Sequence, residues 1–413
     1  MNEKSNNKYL FYAEILFCMF VFLKQFYLLP SGSIGIGDVF LIFSAIIVFV
    51  ISTIIKKETI LYPYDLYWYA FIVFVIIING SYFVGTKNLE FLKYIVYWLY
   101  CTIAIWTFRK LAGKQFFNRI AKVCKINIIL QVMIYCLGLG RYYHEGWGGG
   151  RFMGTFNDPN QCAFFIFTML LFLFICQCYS GGFEFGIFFL LSIFVIYVTK
   201  STGMFLGVFT FGLLYVMQKI VLKYKVSSNK RLWNLFFLIG ILTICLVLYI
   251  IWPAKNFDIT QSGYTLLSRI QQKIWKFSHG NLADLLYDRS AERLVQYPQY
   301  LLYGAGEGGF ERFPLGDFVY KISPGVFVME FTHEIHSSFF EIWFCYGVVP
   351  AAILMLWIIK NIRACDKRIL IAVGAILVES FFLVNYRQPF FWYIIVYSST
   401  IRSNRERLCK EVG

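Results

Sequence analysis

The chain has 413 residues, 59% of them hydrophobic and 15% charged, with a mean hydropathy of +0.63. Soluble domains sit near half apolar and a quarter charged, so this balance excludes an ordinary soluble domain and points to a membrane protein. The formal net charge of +15 invites a nucleic-acid reading. However, the Lys and Arg residues fall in short runs between apolar segments, where membrane orientation signals lie, and no nucleic-acid partner is expected.

A membrane-spanning helix needs about 20 mostly apolar residues. Taken in chain order, candidates lie near 10–29, 38–55, 64–84, 91–108, 121–139, 160–178, 183–199, 203–221, 233–253, 337–359, 369–385 and 389–401, the last being short. The first run carries Glu14 and Lys24 and ends at Pro30 without a small-residue cleavage site, so it reads as a span and not a cleavable signal peptide. With the N-terminus inside, the inner connections collect basic runs such as Lys56-Lys57, Arg109-Lys110 and Lys367-Arg368, while the short outer loops hold very few. The fold expected is an all-α polytopic membrane protein of about twelve helices. Its parts are spans 1–9 over 1–253, a long extracytoplasmic loop over 254–335, and spans 10–12 with a cytoplasmic tail over 336–413. Most of the eleven Cys lie inside apolar segments, with neither a disulfide framework nor a zinc spacing.

Two outer segments carry most of the unusual polarity. One runs from Gly140 to about Asn160; the other, from about Ala254 to Ile335, is too long for a simple connection but keeps apolar periodicity and is expected to be ordered. Leu266, Leu267, Ile270, Ile274 and Phe277 share one helical face, with Arg269, Lys273 and Lys276 off it, the pattern of a basic helix lying on a membrane surface. A second helix is expected from Leu282 to about Gln296, followed by a flexible turn at Gly304, Gly306, Gly308 and Gly309.

Candidate chemistry follows from these residues. Arg151 precedes Gly154-Thr155-Phe156-Asn157-Asp158-Pro159-Asn160, in which Asn157 or Asp158 can cap the next span and Pro159 suits its first turn. Arg289 and Arg293 are four apart, as are Asp288 and Glu292. On a helix this is either a solvated face laced with ion pairs or a guanidinium fork that grips phosphate oxygens. His333 and His336 close the long loop in an HxxH spacing, but no third ligand is evident among four His in the chain, so metal-free chemistry is favoured. An imidazole at a cavity mouth serves as base or hydrogen-bond donor near neutral pH. Arg387, in the short turn Asn385-Tyr386-Arg387-Gln388-Pro389, faces either a lipid headgroup or a polar cavity.

Together these pieces resemble the O-antigen polymerase (Wzy) and O-antigen ligase (WaaL) superfamily. The residues that carry the resemblance are Leu29-Pro30-Ser31-Gly32-Ser33 with Ile36-Gly37-Asp38; the Gly154–Asn160 run; Arg289 and Arg293 before Leu302-Tyr303-Gly304-x-Gly306; and His336-Ser337-Ser338-Phe339 with Glu341 and Gly347. The likeness covers nearly the whole chain as topology and a few dozen positions as residues. One departure is plain: after the seventh span the family often carries a Ser-Arg pair, where this chain reads Thr199-Lys200-Ser201-Thr202-Gly203. Lys200 is a point charge there and cannot make a bidentate fork.

The resemblance implies a GT-C-like fold and a cavity open to the outer face of the cytoplasmic (inner) membrane. It implies a glycosyltransferase without cofactor or metal, making O-antigen, capsule or exopolysaccharide. The donor is undecaprenyl-pyrophosphate-linked oligosaccharide; an acceptor sugar hydroxyl attacks the anomeric carbon with inversion. Partners in such pathways are a chain-length regulator (Wzz-like) and a flippase (Wzx-like). On this expectation His336, Arg293 and Arg289 are catalytic, with His336 taking the proton. Arg151, Asn157, Asn160, Lys200, His333, Glu341 and Arg387 bind substrate. An O-antigen ligase using the same donor is the nearest rival. A polysaccharide flippase or other transporter is the rival of another class, and it is disfavoured because the polar residues gather on one side and not at the bilayer midplane.

Overall fold

The computed structural model describes residues 3–27, 35–58, 62–145, 148–176, 183–223, 265–279, 290–313, 319–323, 326–329, 334–366 and 368–412. The ninth expected span at 233–253, the Leu29–Ser33 run, Arg289 and His333 lie outside the described residues.

The chain is mostly helical, as its hydropathy dictates. In order come α1 (Glu3–Leu23), α2 (Ile36–Phe49, continuing as a π-helical turn Val50–Ile55), α3 (Leu66–Thr86), α4 (Glu90–Leu111), α5 (Lys114–Cys136), α6 (Pro159–Cys176), α7 (Phe183–Val198) and α8 (Thr202–Lys223). There follow α9 (Leu266–His279), the short α10 (Arg293–Gln296) and α11 (Tyr300–Tyr303), then α12 (Ser338–Tyr346), α13 (Val348–Arg363), α14 (Ile369–Ser380) and α15 (Pro389–Val412). Among the described residues, four helical stretches are long and apolar enough to cross a membrane: Ile36–Ile55, Pro63–Thr86, Glu90–Leu111 and Pro159–Cys176.

The bundle is organised around α6, whose residues are buried without a break from Cys162 to Ile175. A helix that is apolar on every side suits either a bundle centre or lipid; here its burial and the packing of α5, α7, α8 and α15 against it place it at the centre. Its start is set locally. The Asp158 carboxylate accepts the backbone N–H groups of Asn160 and Gln161 at 2.7 and 3.1 Å, and Pro159 needs no N–H partner in the first turn. Asp158 is therefore the cap, and Asn157 instead accepts from Arg141 Nη1 at 2.9 Å.

Three features differ from a purely helical expectation. The segment before α6 forms an antiparallel hairpin, β1 (Arg141–Glu145) with β2 (Gly148–Gly154), pairing Tyr142 with Phe152 and Tyr143 with Arg151. Phe152 is its anchor, buried edge-on against Tyr135 with ring centroids 5.2 Å apart. A second hairpin pairs β3 (Val319–Ser323) with β4 (Val326–Met329). The expected span 337–359 is split at Gly347 into α12 and α13. Gly347 has φ +80°, and a Cβ there would lie 2.5 Å from the Leu302 carbonyl oxygen, so the break admits the glycine turn against the helix.

That turn is pinned, not flexible. The N–H groups of Ala305 and Gly306 donate to the Phe344 and Cys345 carbonyls at 2.9 and 2.8 Å, and the Glu307 N–H donates to Asn79 Oδ1 at 2.9 Å. Gly304, with φ +86°, lies so close to α12 that a Cβ would come within 2.6 Å of the Cys345 carbonyl. The expected helix from Leu282 to Gln296 is described only from residue 290, where a turn leads into the single helical turn of α10.

The far end of the bundle is closed by a buried polar network. The fully buried Arg109 guanidinium holds Asp65 at 2.7 Å and donates to Ser399, Thr400 and Asn361, and Trp357 Nε1 completes Asp65 at 2.9 Å. Each charge there is compensated, which is what makes such burial tolerable.

Candidate functional site

At the opposite end from Arg109 the helices enclose a cavity of about 390 Å³. Its walls come from the C-terminal end of α1 (Lys24, Tyr27), the first turns of α4 (Lys93, Tyr94, Tyr97), the entry to α6 (Asp158, Asn160, Gln161), Met204 near the start of α8, Glu334 and His336 before α12, and Asn385, Arg387 and Gln388 before α15. In a chain whose helices alternate in direction, these ends lie on one side. Aromatic rings and amides dominate the lining, a surface that stacks on the faces of a polar ring and hydrogen-bonds its edge.

The charged wall is centred on Arg387. Its Nε meets Glu307 Oε1 at 2.6 Å, its Nη1 pairs with Glu334, and its Nη2 lies 3.9 Å from Glu341 Oε1. Its guanidinium carbon also stands 4.6 Å from the Tyr94 ring centre. The lipid-headgroup reading of Arg387 therefore does not apply: the side chain turns inward to a polar cavity. Glu307 is fully buried and accepts four donors, from Trp98 Nε1 at 3.0 Å, Tyr346 OH at 2.5 Å, Tyr386 OH at 2.6 Å and Arg387. Glu341 is also fully buried; it accepts the Ile335 N–H at 2.8 Å and stands behind the cavity wall.

A second wall joins two residues expected from sequence, Arg151 and Asn160. Buried Arg151, reaching in from β2, donates from Nε to the Thr199 carbonyl and from Nη2 to Asn160 Oδ1, both at 3.0 Å. Ser201 Oγ donates to the same Asn160 oxygen at 2.9 Å. Arg151 thus ties the α7–α8 turn, where Lys200 takes a left-handed φ of +52°, to the cavity-lining Asn160. On the floor, Lys24 Nζ bonds both Asp38 carboxylate oxygens at 2.8 Å, and Tyr100 donates to the same carboxylate.

Of the residues singled out from sequence, Asn160, His336 and Arg387 line the cavity. Arg151 and Glu341 support it from behind through Asn160 and Arg387. Asn157 and Lys200 do not line it, and Arg289 and His333 lie outside the described residues. Arg293 is fully buried over the Phe310 and Phe313 rings, 5.6 and 5.7 Å from their centres, and not on the cavity surface. Burial draws its guanidinium below the usual range, with the Glu341 carboxylate opposing. Sequence reasoning missed Glu307, Glu334, Lys24 and Lys93. The signal for Lys24 was present, since an ionisable residue inside an apolar span marks a functional or paired site. Asp38, fourteen positions on, is the partner.

The chain matches no protein-family model, and no curated protein matches it in sequence.

Proposed function

We propose that this chain is a membrane glycosyltransferase. It polymerises undecaprenyl-pyrophosphate-linked oligosaccharide repeat units at the outer face of the cytoplasmic membrane, with about twelve spans and a GT-C-like arrangement. The observation that carries the reading is the cavity: one side of the helices gathers Lys24, Lys93, Arg387, His336 and Glu334 beside Tyr27, Tyr94, Tyr97, Asn160 and Asn385. Cations meet what leaves, because negative charge builds on the pyrophosphate, and preorganised positive groups stabilise that charge most. Rings and amides meet sugars. Removal of the acceptor proton falls to the wall formed by Glu334 and His336. A transporter needs its polar groups near the midplane, whereas this cavity draws on helix ends.

Deleting the gene in its native host tests the reading. Lipid-linked single repeats are expected to accumulate while the surface glycan shortens to one repeat. A surface glycan of unchanged length overturns the proposal, and loss of the whole glycan with repeats trapped inside the cell marks a transporter instead.

A further inference from the structure

We propose that Glu334 is the base that takes the proton from the acceptor hydroxyl, an assignment that rests on the glycosyl-transfer reading above. Three carboxylates, Glu307, Glu334 and Glu341, surround the single guanidinium of Arg387. The three differ in what they can reach. Glu307 is fully buried, with each oxygen already accepting two donors. Glu341 is fully buried and engaged by the Ile335 N–H. Glu334 alone of the three lines the cavity, with 27% of its side chain exposed.

Its aim is fixed from behind. Arg387 holds Glu334 through Nη1 while Glu307 holds Arg387 through Nε, and Glu307 is itself held by Trp98, Tyr346 and Tyr386. A base needs such orientation more than strength, because proton transfer requires hydrogen-bond reach to the hydroxyl. The other charged or titratable groups facing this space are His336 before α12, Lys93, Tyr94 and Tyr97 on α4, Lys24 and Tyr27 after α1, and Asp158 before α6.

As the acceptor oxygen attacks the anomeric carbon, its proton passes to a Glu334 oxygen and the new glycosidic C–O bond forms. The anomeric C–O bond to phosphate breaks, and its electron pair leaves with the lipid pyrophosphate. Glu334 then returns the proton to water, with His336 beside it on the cavity wall as the route.

The test is turnover of a lipid-pyrophosphate-linked repeat unit by the purified full chain, compared with Glu334→Gln, Glu334→Ala and Glu334→Asp. Glu334→Gln is expected to lose about 10²–10⁴-fold in kcat, with KM nearly unchanged and the acid limb of the pH–rate profile removed. Glu334→Asp is expected to recover part of the rate, and formate is expected to restore part of the rate of Glu334→Ala. If Glu334→Gln turns over like the wild type, or if folded Glu334→Ala is not rescued by formate while His336→Ala loses the acid limb, the assignment falls and His336 is the base. If the wild type itself forms no glycosidic product, the glycosyl-transfer reading has failed instead.

Discussion

Glu307 offers the sharpest perturbation of the site's architecture. It is fully buried in the glycine turn and joins α4, α12, the turn before α15 and Arg387 through one carboxylate. Removing one partner of a buried ion pair costs about 3–5 kcal/mol. In Glu307→Ala the Tyr346 and Tyr386 hydroxyls also lose their acceptor, at about 1–3 kcal/mol each, while Trp98 Nε1 keeps the Tyr346 hydroxyl at 2.9 Å. Together these approach the whole stability of a typical domain, about 5–15 kcal/mol, so Glu307→Ala is expected not to accumulate as folded protein. Glu307→Gln keeps the shape and one acceptor oxygen but loses the charge. It is expected to fold with a clearly lowered Tm and reduced turnover, because Arg387 loses the contact that aims it at Glu334. Thermal unfolding in detergent, followed by tryptophan fluorescence with Trp98 inside the cluster, reads the first effect. A Glu307→Ala protein that purifies with the wild-type midpoint refutes the reasoning.

Other expectations follow from the same contacts. Arg109→Leu leaves Asp65 buried against Trp357 without its cation and is expected to cost about 3–5 kcal/mol; adding Asp65→Leu restores part of the lost Tm, and failure of that rescue contradicts the pairing. Burial pushes the Glu292 carboxyl above the usual carboxylate range, and neither oxygen has a hydrogen-bond partner among the described residues. The folded state then binds more protons than the unfolded one in the window between the two pKa values, so stability falls as pH rises through it. Glu292→Gln should accordingly raise the Tm at neutral pH and flatten its dependence on pH, as melts across pH 4 to 8 would reveal. Gly347→Ala forces a side chain onto φ +80° and into the Leu302 carbonyl; with ψ 176° this is a backbone region essentially confined to glycine, which alone costs about 1–3 kcal/mol, and a melt unchanged from wild type contradicts the close packing.

Much of the bundle was legible because apolar run length is a one-dimensional signal. The stretches 64–84 and 91–108 emerge as α3 and α4 with small shifts at their ends, and the run after Asp158 emerges as α6 with the expected cap. The hairpin before α6 escaped because its glycines mask alternation, leaving Phe152 as the lone strong anchor. The break at Gly347 escaped because it answers a partner, Leu302, some 45 positions away in the chain. For the site, Asn160, His336 and Arg387 were legible as polar residues at the ends of apolar runs. Glu307 was not: its glycine neighbours read as a turn, and its role depends on Trp98, Tyr346 and Tyr386 converging from distant segments. Arg293 shows the opposite error of emphasis. Its spacing from Arg289 suggested a phosphate grip, while the structure seats it behind the wall on two phenyl rings.

The most direct measurement is product analysis after purified protein, in detergent with EDTA, is given an undecaprenyl-pyrophosphate-linked repeat unit alone. A ladder of glycans separated by one repeat mass is expected, with release of undecaprenyl pyrophosphate in step with each bond formed, and with loss of both when Glu334→Gln replaces the wild type. Intact substrate with no ladder, from protein that melts cooperatively, contradicts that expectation.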